Sequence, residues 1–474
     1  MGAGVSSWAL AREVSALGQI GVVSGTALDS ILVRKLWGGD ADGHMRRAIA
    51  AFPSPEMARA VLDRYFRADG EHVQGQRYKL APMLRAQLTP ERQGLIVVAN
   101  FAEVFLAKEG HDGVVGINYL EKIQFPTLPS LYGAMLAGVD VVLIGAGIPA
   151  EIPDVLDRLS QHLPVSITLD VLDRGDEKYE LKFDPQSVGL GADPAGVVPP
   201  ASLRRPKFLP IVSAATLAKA LLRKSPGGID GFVVEGPIAG GHNAPPRGPL
   251  QLSERGEPVY GQRDVVDLEQ MKALGVPFWL AGAYASRERF AAAVAAGAHG
   301  VQVGTAFAFC EESGLDPELR RRFLADVLRG KGRVFTDPVA SPTGFPFKVA
   351  TLEGTLSDEA TYEERPRLCD LGYLRRAYRR EDGRLDYRCP SEPVADYVRK
   401  GGRVEDTVGR KCLCNALVTN IGMGQQRADG YQELPMLTAG DDIDCVRAFI
   451  TPDRLSYRAR DVVEALLPIG APAA

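Results

Sequence analysis

The chain has 474 residues, 45% of them hydrophobic, and a formal net charge of −4. That length allows a large core and more than one structural unit, while the near-neutral balance excludes a surface built for nucleic acid or an anionic membrane and leaves small-molecule chemistry. No apolar run reaches membrane-spanning length, and the first twenty residues lack a basic stretch followed by an apolar core, so a cytoplasmic protein is expected.

Seven short, apolar, β-branched segments follow one another at 20–25, 113–118, 140–145, 208–213, 231–236, 277–282 and 300–305. Most are followed by a helical stretch, the rhythm of a parallel α/β sheet. The expected fold is a (β/α)8 TIM barrel over residues 1–330 with insertions at about 26–110 and 165–207. Seven strands are one short of closure, and the first strand is expected upstream of Met1. Within the insertions, Val61, Leu62, Tyr65 and Phe66 have helical spacing, Leu95–Phe101 reads as an additional strand or core segment, and 165–183 reads as a β-hairpin around Arg174-Gly175-Asp176. A Pro- and Gly-rich link at 184–207 leads to the next strand. Beyond 330 the alternation fails, and 335–474 is read as a mainly helical C-terminal subdomain in which Arg375-Arg376 and Arg379-Arg380 form a solvated helix face.

The strand at 231–236 runs into Gly236-Pro237-Ile238-Ala239-Gly240-Gly241-His242. In parallel α/β folds the carboxyl ends of strands carry the active site; the glycines let a ligand approach the backbone and His242 supplies a group that titrates near neutrality. Two further strand ends offer an anion site: the N–H groups of Gly282, Ala283, Gly304 and Thr305, with the Thr305 hydroxyl, can converge on a phosphate. Pro245-Pro246-Arg247-Gly248-Pro249 is a semi-rigid loop that can wall the site.

The ordered set Gly240-Gly241-His242, Ala281-Gly282-Ala283 and Val301-Gln302-Val303-Gly304-Thr305 resembles the nitronate monooxygenase (2-nitropropane dioxygenase) family, which shares its scaffold with flavin-dependent enoyl-acyl-carrier-protein reductases. Gly21–Thr26 and Gly116-Ile117-Asn118 resemble the family's second- and third-strand loops, and Met1–Ser6 resembles the loop after its first strand, so the resemblance spans roughly 1–325. It implies FMN, with the phosphate at Gly282, Ala283, Gly304 and Thr305, and the ring near Ser24, Gly25, Thr26 and Asn118. Ser213, Glu235, Gly240 and Gly241 complete the implied cofactor surface. His242 is the implied catalytic residue. The implied reaction is oxidation of a nitronate or similarly activated carbon acid by dioxygen; alternatives are an NAD(P)H-dependent enoyl-thioester reductase working with an acyl carrier protein, or a flavin-binding scaffold without turnover. Where relatives have Gly-Gly this chain has Gly282-Ala283, which carries a strain of about 1 kcal/mol if the second position needs a positive φ.

The six cysteines lie mostly in the last quarter and lack Cys-x-x-Cys spacing. Cys412 and Cys414, one residue apart, are poorly placed to share a tetrahedral ion, although Cys369 and Cys389 could contribute. Reduced, partly buried thiols and no metal are expected.

Overall fold

The computed structural model describes residues 2–70, 78–190, 202–225 and 227–467. All seven expected strands are present: β1 (Gly21–Ser24), β2 (Val115–Leu120), β3 (Val141–Gly145), β4 (Lys207–Val212), β5 (Phe232–Glu235), β6 (Phe278–Ala281) and β7 (Gly300–Gln302). They pair in chain order as one parallel sheet, β1 and β7 forming its edges. Val22 of β1, Val141 and Leu143 of β3, Leu209 and Ile211 of β4, Val233 of β5 and Trp279 of β6 pack in one cluster. Side chains from strands that are not neighbours meet only if the sheet curls around them, as in a barrel interior. β3, Val-Val-Leu-Ile-Gly, is buried along its whole length, which is why it reads as a continuous apolar run rather than an alternating one.

Residues 2–6 lie against the edge strand β1: the Ser24 N–H donates to Ser6 O (2.8 Å) and Ser6 Oγ donates to Val22 O (2.5 Å). This brings the N-terminal loop to the carboxyl ends of the strands.

The insertions hold one surprise. Leu95–Phe101 is the core segment of the two alternatives, not a strand: it is the buried middle of a helix, Pro90–Lys108, capped by Thr89, whose side chain accepts from the Arg92 N–H. Nothing between Pro90 and Lys108 breaks a helix, and the helix is apolar nearly all round because it is buried nearly all round. It lies against Thr127–Leu136 so closely that a Cβ on Gly133 would stand 2.2 Å from Val97 O. The 165–183 hairpin is present, Val165–Thr168 pairing antiparallel with Glu180–Phe183. Of the link at 184–207, residues 191–201 lie outside the described residues.

From 335 onward short helices alternate with two β-hairpins, Val334–Asp337 with Phe347–Ala350 and Arg376–Arg379 with Leu385–Arg388. The arginine run expected on a helix face is therefore a strand, which also pairs in parallel with Val171–Leu172 of the insertion. Long-range pairing overrides the local charge pattern here. The segment shares its core with the barrel: Leu371, Tyr373, Leu374, Leu413 and Met436 belong to the same buried cluster as Leu28 and Ile117. The Tyr373 hydroxyl donates to Asp29 Oδ1 (2.6 Å), and Asp29 is in turn ion-paired with buried Arg92.

Candidate active site

At the carboxyl ends of the strands lies a cavity of ≈230 Å³ whose wall includes Thr26, Asn118, Glu235, Gly240, Gly241, His242, Gly282, Ala283, Gly304 and Thr305. Ten of the thirteen site residues expected from sequence therefore face one space. The other three are elsewhere. Ser24 is 1% exposed, its N–H held by Ser6. Gly25 is glycine for a packing reason, since a Cβ there would stand 2.3 Å from the Tyr119 ring. Ser213 lines a second cavity of ≈210 Å³ with Tyr260 and Arg247, and its carbonyl accepts from Arg247 (2.6 Å). His242, Glu235, Ala146 and Ile211 line both cavities, so these residues form the partition between them.

The turns expected to hold a phosphate have left-handed backbone. Gly282 has φ +104° and Ala283 φ +60°, so the strain foreseen at the alanine is present. The N–H groups of Gly282, Ala283 and Gly304 find no protein acceptor among the described residues. A Cβ on Gly304 would meet nothing within 4 Å. Thr305 Oγ1 accepts from the Gly440 N–H (2.9 Å), which leaves the hydroxyl hydrogen free to donate. Arg289 holds the turn by donating to Ala283 O (2.7 Å) while pairing with Asp442 (2.6 Å). A group of free donors beside an apolar cavity fits the phosphate and ring of a flavin mononucleotide. Ala27 (φ +61°) and Ala146 (φ +56°), at the ends of β1 and β3, are also left-handed and also line the cavity. Unfavourable backbone thus gathers at this rim.

His242 is fixed by partners that the sequence reading did not include. Its Nε2 stands 2.7 Å from Ser341 Oγ, which is 2.8 Å from Thr343 Oγ1 and accepts from the Thr343 N–H (3.2 Å). The ring meets Phe347 edge-on at 4.8 Å, and the backbone of 242 bridges to 347. Burial lowers the imidazole to about 3, so it is neutral at physiological pH. Glu235 moves the opposite way: burial raises its carboxyl to about 7, against the opposing pull of Lys348 and a hydrogen bond with Asn243. Lys348 is 1% exposed and donates to Thr336 Oγ1 (2.6 Å) and Asp441 Oδ2 (2.5 Å). A lysine inside the apolar strand Phe347–Ala350 was the one sequence signal for this network.

Gly240 and Gly241 also serve the loop itself. A Cβ on Gly240 would stand 2.9 Å from the backbone of Ala439 and Gly440, and Gly241 has φ +84° with its N–H donated to Thr438 Oγ1 (3.2 Å). The loop after β5 is thus clasped by residues 438–441.

Comparison with known proteins agrees with the resemblance read from the motifs. Residues 176–330 match the family model described as nitronate monooxygenase, a stretch containing His242 and the whole anion cradle. Over 114 residues the chain is 36% identical to the "probable nitronate monooxygenase" of Bacillus subtilis (strain 168), covering 24% of this chain and 31% of that protein. The chain therefore spans about a third of this relative's length. Among solved structures it is similar to a nitroalkane oxidase from Streptomyces ansochromogenes (17% identity, 98% of this chain and 92% of that one, TM-score 0.43). It is also similar to FabK from Thermotoga maritima (16% identity, 76% and 71%, TM-score 0.39). Among the described residues no helix is long and apolar enough to cross a membrane.

Proposed function

We propose that the chain is an FMN-dependent oxidoreductase, nitronate monooxygenase-like, that oxidises a nitronate with dioxygen. The observation that carries this reading is the meeting, in one cavity, of a cradle of free N–H donors at 282–283 and 304 with a half-buried, neutral imidazole at 242. FMN, when bound, supplies the electron acceptor that dioxygen then reoxidises.

The protein's own groups do the rest. Gly282, Ala283, Gly304 and the Thr305 hydroxyl hold the phosphate, and the Asn118 amide offers both a donor and an acceptor to the ring edge. An imidazole lowered to about 3 is a poor base for pulling a proton from neutral carbon. It is a good neutral hydrogen-bond donor, and this favours a substrate that arrives already ionised. In this reading the Ser341 hydroxyl donates to His242 Nε2 and Nδ1–H faces the anionic oxygen of the nitronate.

Anaerobic mixing of the flavin-loaded protein with an alkyl nitronate, a neutral nitroalkane or NADPH tests the proposal. Bleaching by the nitronate, faster than by the nitroalkane, supports it. Bleaching by NADPH alone overturns it in favour of a reductase taking an enoyl thioester from an acyl carrier protein.

A further inference from the structure

Beside the imidazole, the end of β5 presents a second ionisable side chain. Val233 packs in the cluster inside the curled sheet and Val234 in the larger core outside it, so by strand alternation Glu235 returns to the inner face. Its register partner on β6, Ala281, belongs to the same inner cluster. Inward-facing positions at the carboxyl ends of barrel strands are where this architecture carries catalytic groups.

Glu235 is half-buried and, like His242, lines both cavities. The second cavity, at ≈210 Å³, is large enough for a small organic molecule, since one water needs only about 10–15 Å³. Exposed Ile148, Pro245 and Arg247 in its wall open it to solvent.

The other ionisable side chains around that cavity are already engaged. Asp264 accepts from the N–H groups of Arg247 (2.8 Å) and Gly261 (2.8 Å). Arg247 donates to Arg263 O (2.6 Å) and Ser213 O (2.6 Å), and the Tyr260 hydroxyl donates to Ala244 O (3.1 Å). Glu235 has only the Asn243 side chain as a hydrogen-bond partner among the described residues. Carboxylates that serve structure here are tied to backbone, as Asp264 is, or paired with arginine, as Asp29 is. Glu235 is neither, and it faces open space.

We propose that Glu235 is a general base that takes the α-proton from a neutral nitroalkane held in the second cavity. The C–H bond breaks, its proton passes to a carboxylate oxygen of Glu235, and its electron pair moves into the nitro group to leave the nitronate. No electron is gained or lost in this step. The nitronate then lies beside His242, and Glu235 returns its proton to solvent through the second cavity. Burial raises this carboxyl to about 7, which makes it a stronger base than an ordinary carboxylate while leaving about half of it ionised at neutral pH. The two groups of the partition divide the work, Glu235 forming the anion and His242 holding it. For what becomes of the nitronate, the proposal rests on the flavin reading; for how the nitronate forms, it does not.

The test is anaerobic incubation of the flavin-loaded full chain with nitroethane in deuterium oxide, following loss of the α-proton signal by proton NMR and flavin reduction by absorbance. The unmodified chain is expected to exchange the α-protons and to be bleached, more slowly than by ethyl nitronate because a proton must leave first. Glu235→Gln should slow both exchange and bleaching by nitroethane about a hundredfold or more, with bleaching by ethyl nitronate little changed. Glu235→Asp, which draws the carboxyl back by one methylene, should slow exchange about tenfold or more, and it decides the matter if Glu235→Gln does not fold. Exchange no faster than in buffer overturns the proposal, as does an unchanged rate in either variant. Exchange without bleaching by nitroethane or nitronate keeps the base and discards the flavin reading; bleaching by the nitronate without exchange does the reverse.

Discussion

The two walls of the cavity at the strand ends differ in origin. One is made of strand-end loops of the parallel sheet, at 26, 118, 240–242, 282–283 and 304–305, and it contributes mainly backbone and one imidazole. The other comes from residues 341–348 and 438–442, and it contributes the side chains that hold the first wall in place: Ser341 on His242, Lys348 with Asp441, Thr438 on Gly241. In the proposed function the first wall binds and the second positions. Function is thus expected to fail sharply when the first is altered and to fade when the second is.

The largest effect is expected at the imidazole. His242→Ala removes the donor facing the substrate, and turnover should fall by about a hundredfold or more while flavin stays bound; stopped-flow reduction alongside flavin absorbance separates the two. Unchanged reduction would move the chemistry away from the first wall altogether.

Next is the seam between the walls. Gly240→Ala drives a methyl into the backbone of Ala439 and Gly440 at 2.9 Å, and the expected loss is about 1–3 kcal/mol of stability, read by denaturant unfolding. If the two walls were independent, the loop would move aside and the midpoint would hardly shift.

The strand-end wall was legible in the sequence because its signals are local. A buried parallel strand is an apolar run, its loop is glycine-rich, and both lie within a dozen residues of each other, as from Phe232 to His242. The positioning wall was not legible. Ser341 reaches His242 across 99 residues of chain and Lys348 reaches Asp441 across 93, and neither lies in a segment with a repeating pattern. Gly25 was assigned to the ligand when it makes room for Tyr119, because a glycine kept for packing and one kept for a ligand look alike in sequence. Cys369 and Cys389 were named as possible partners of Cys412 and Cys414, but that all four border one small cavity is decided by the fold alone.

The partition residues give a subtler effect. His242 is lowered from its ordinary 6.5 to about 3 and Glu235 raised from 4.5 to about 7. Between pH 3 and 6.5 the unfolded chain takes up the histidine proton that the folded chain refuses, so this group makes stability rise with pH. Between pH 4.5 and 7 the folded chain keeps the glutamate proton that the unfolded chain has lost, so that group makes stability fall with pH. From about pH 4.5 to 6.5 the two slopes oppose each other and nearly cancel. Glu235→Gln should expose the histidine's slope, stability climbing from pH 3 to 6.5, and His242→Gln should expose the glutamate's decline towards pH 7. Parallel profiles for the unmodified chain and both variants would show that neither group is shifted as described.

The smallest effect is expected at the cradle. Ala283 holds φ +60°, which costs an L-residue about 1–2 kcal/mol relative to ordinary backbone, and Ala283→Gly removes that strain while giving back about 0.4–1 kcal/mol as extra freedom of the unfolded chain. The difference leaves a gain of about 0.5 kcal/mol, visible as a small upward shift in the unfolding midpoint. Because the N–H at 283 keeps its direction, flavin affinity should stay the same. A loss of affinity would mean that the alanine methyl itself touches the cofactor, and the first wall would then bind through a side chain where it is taken here to bind through backbone.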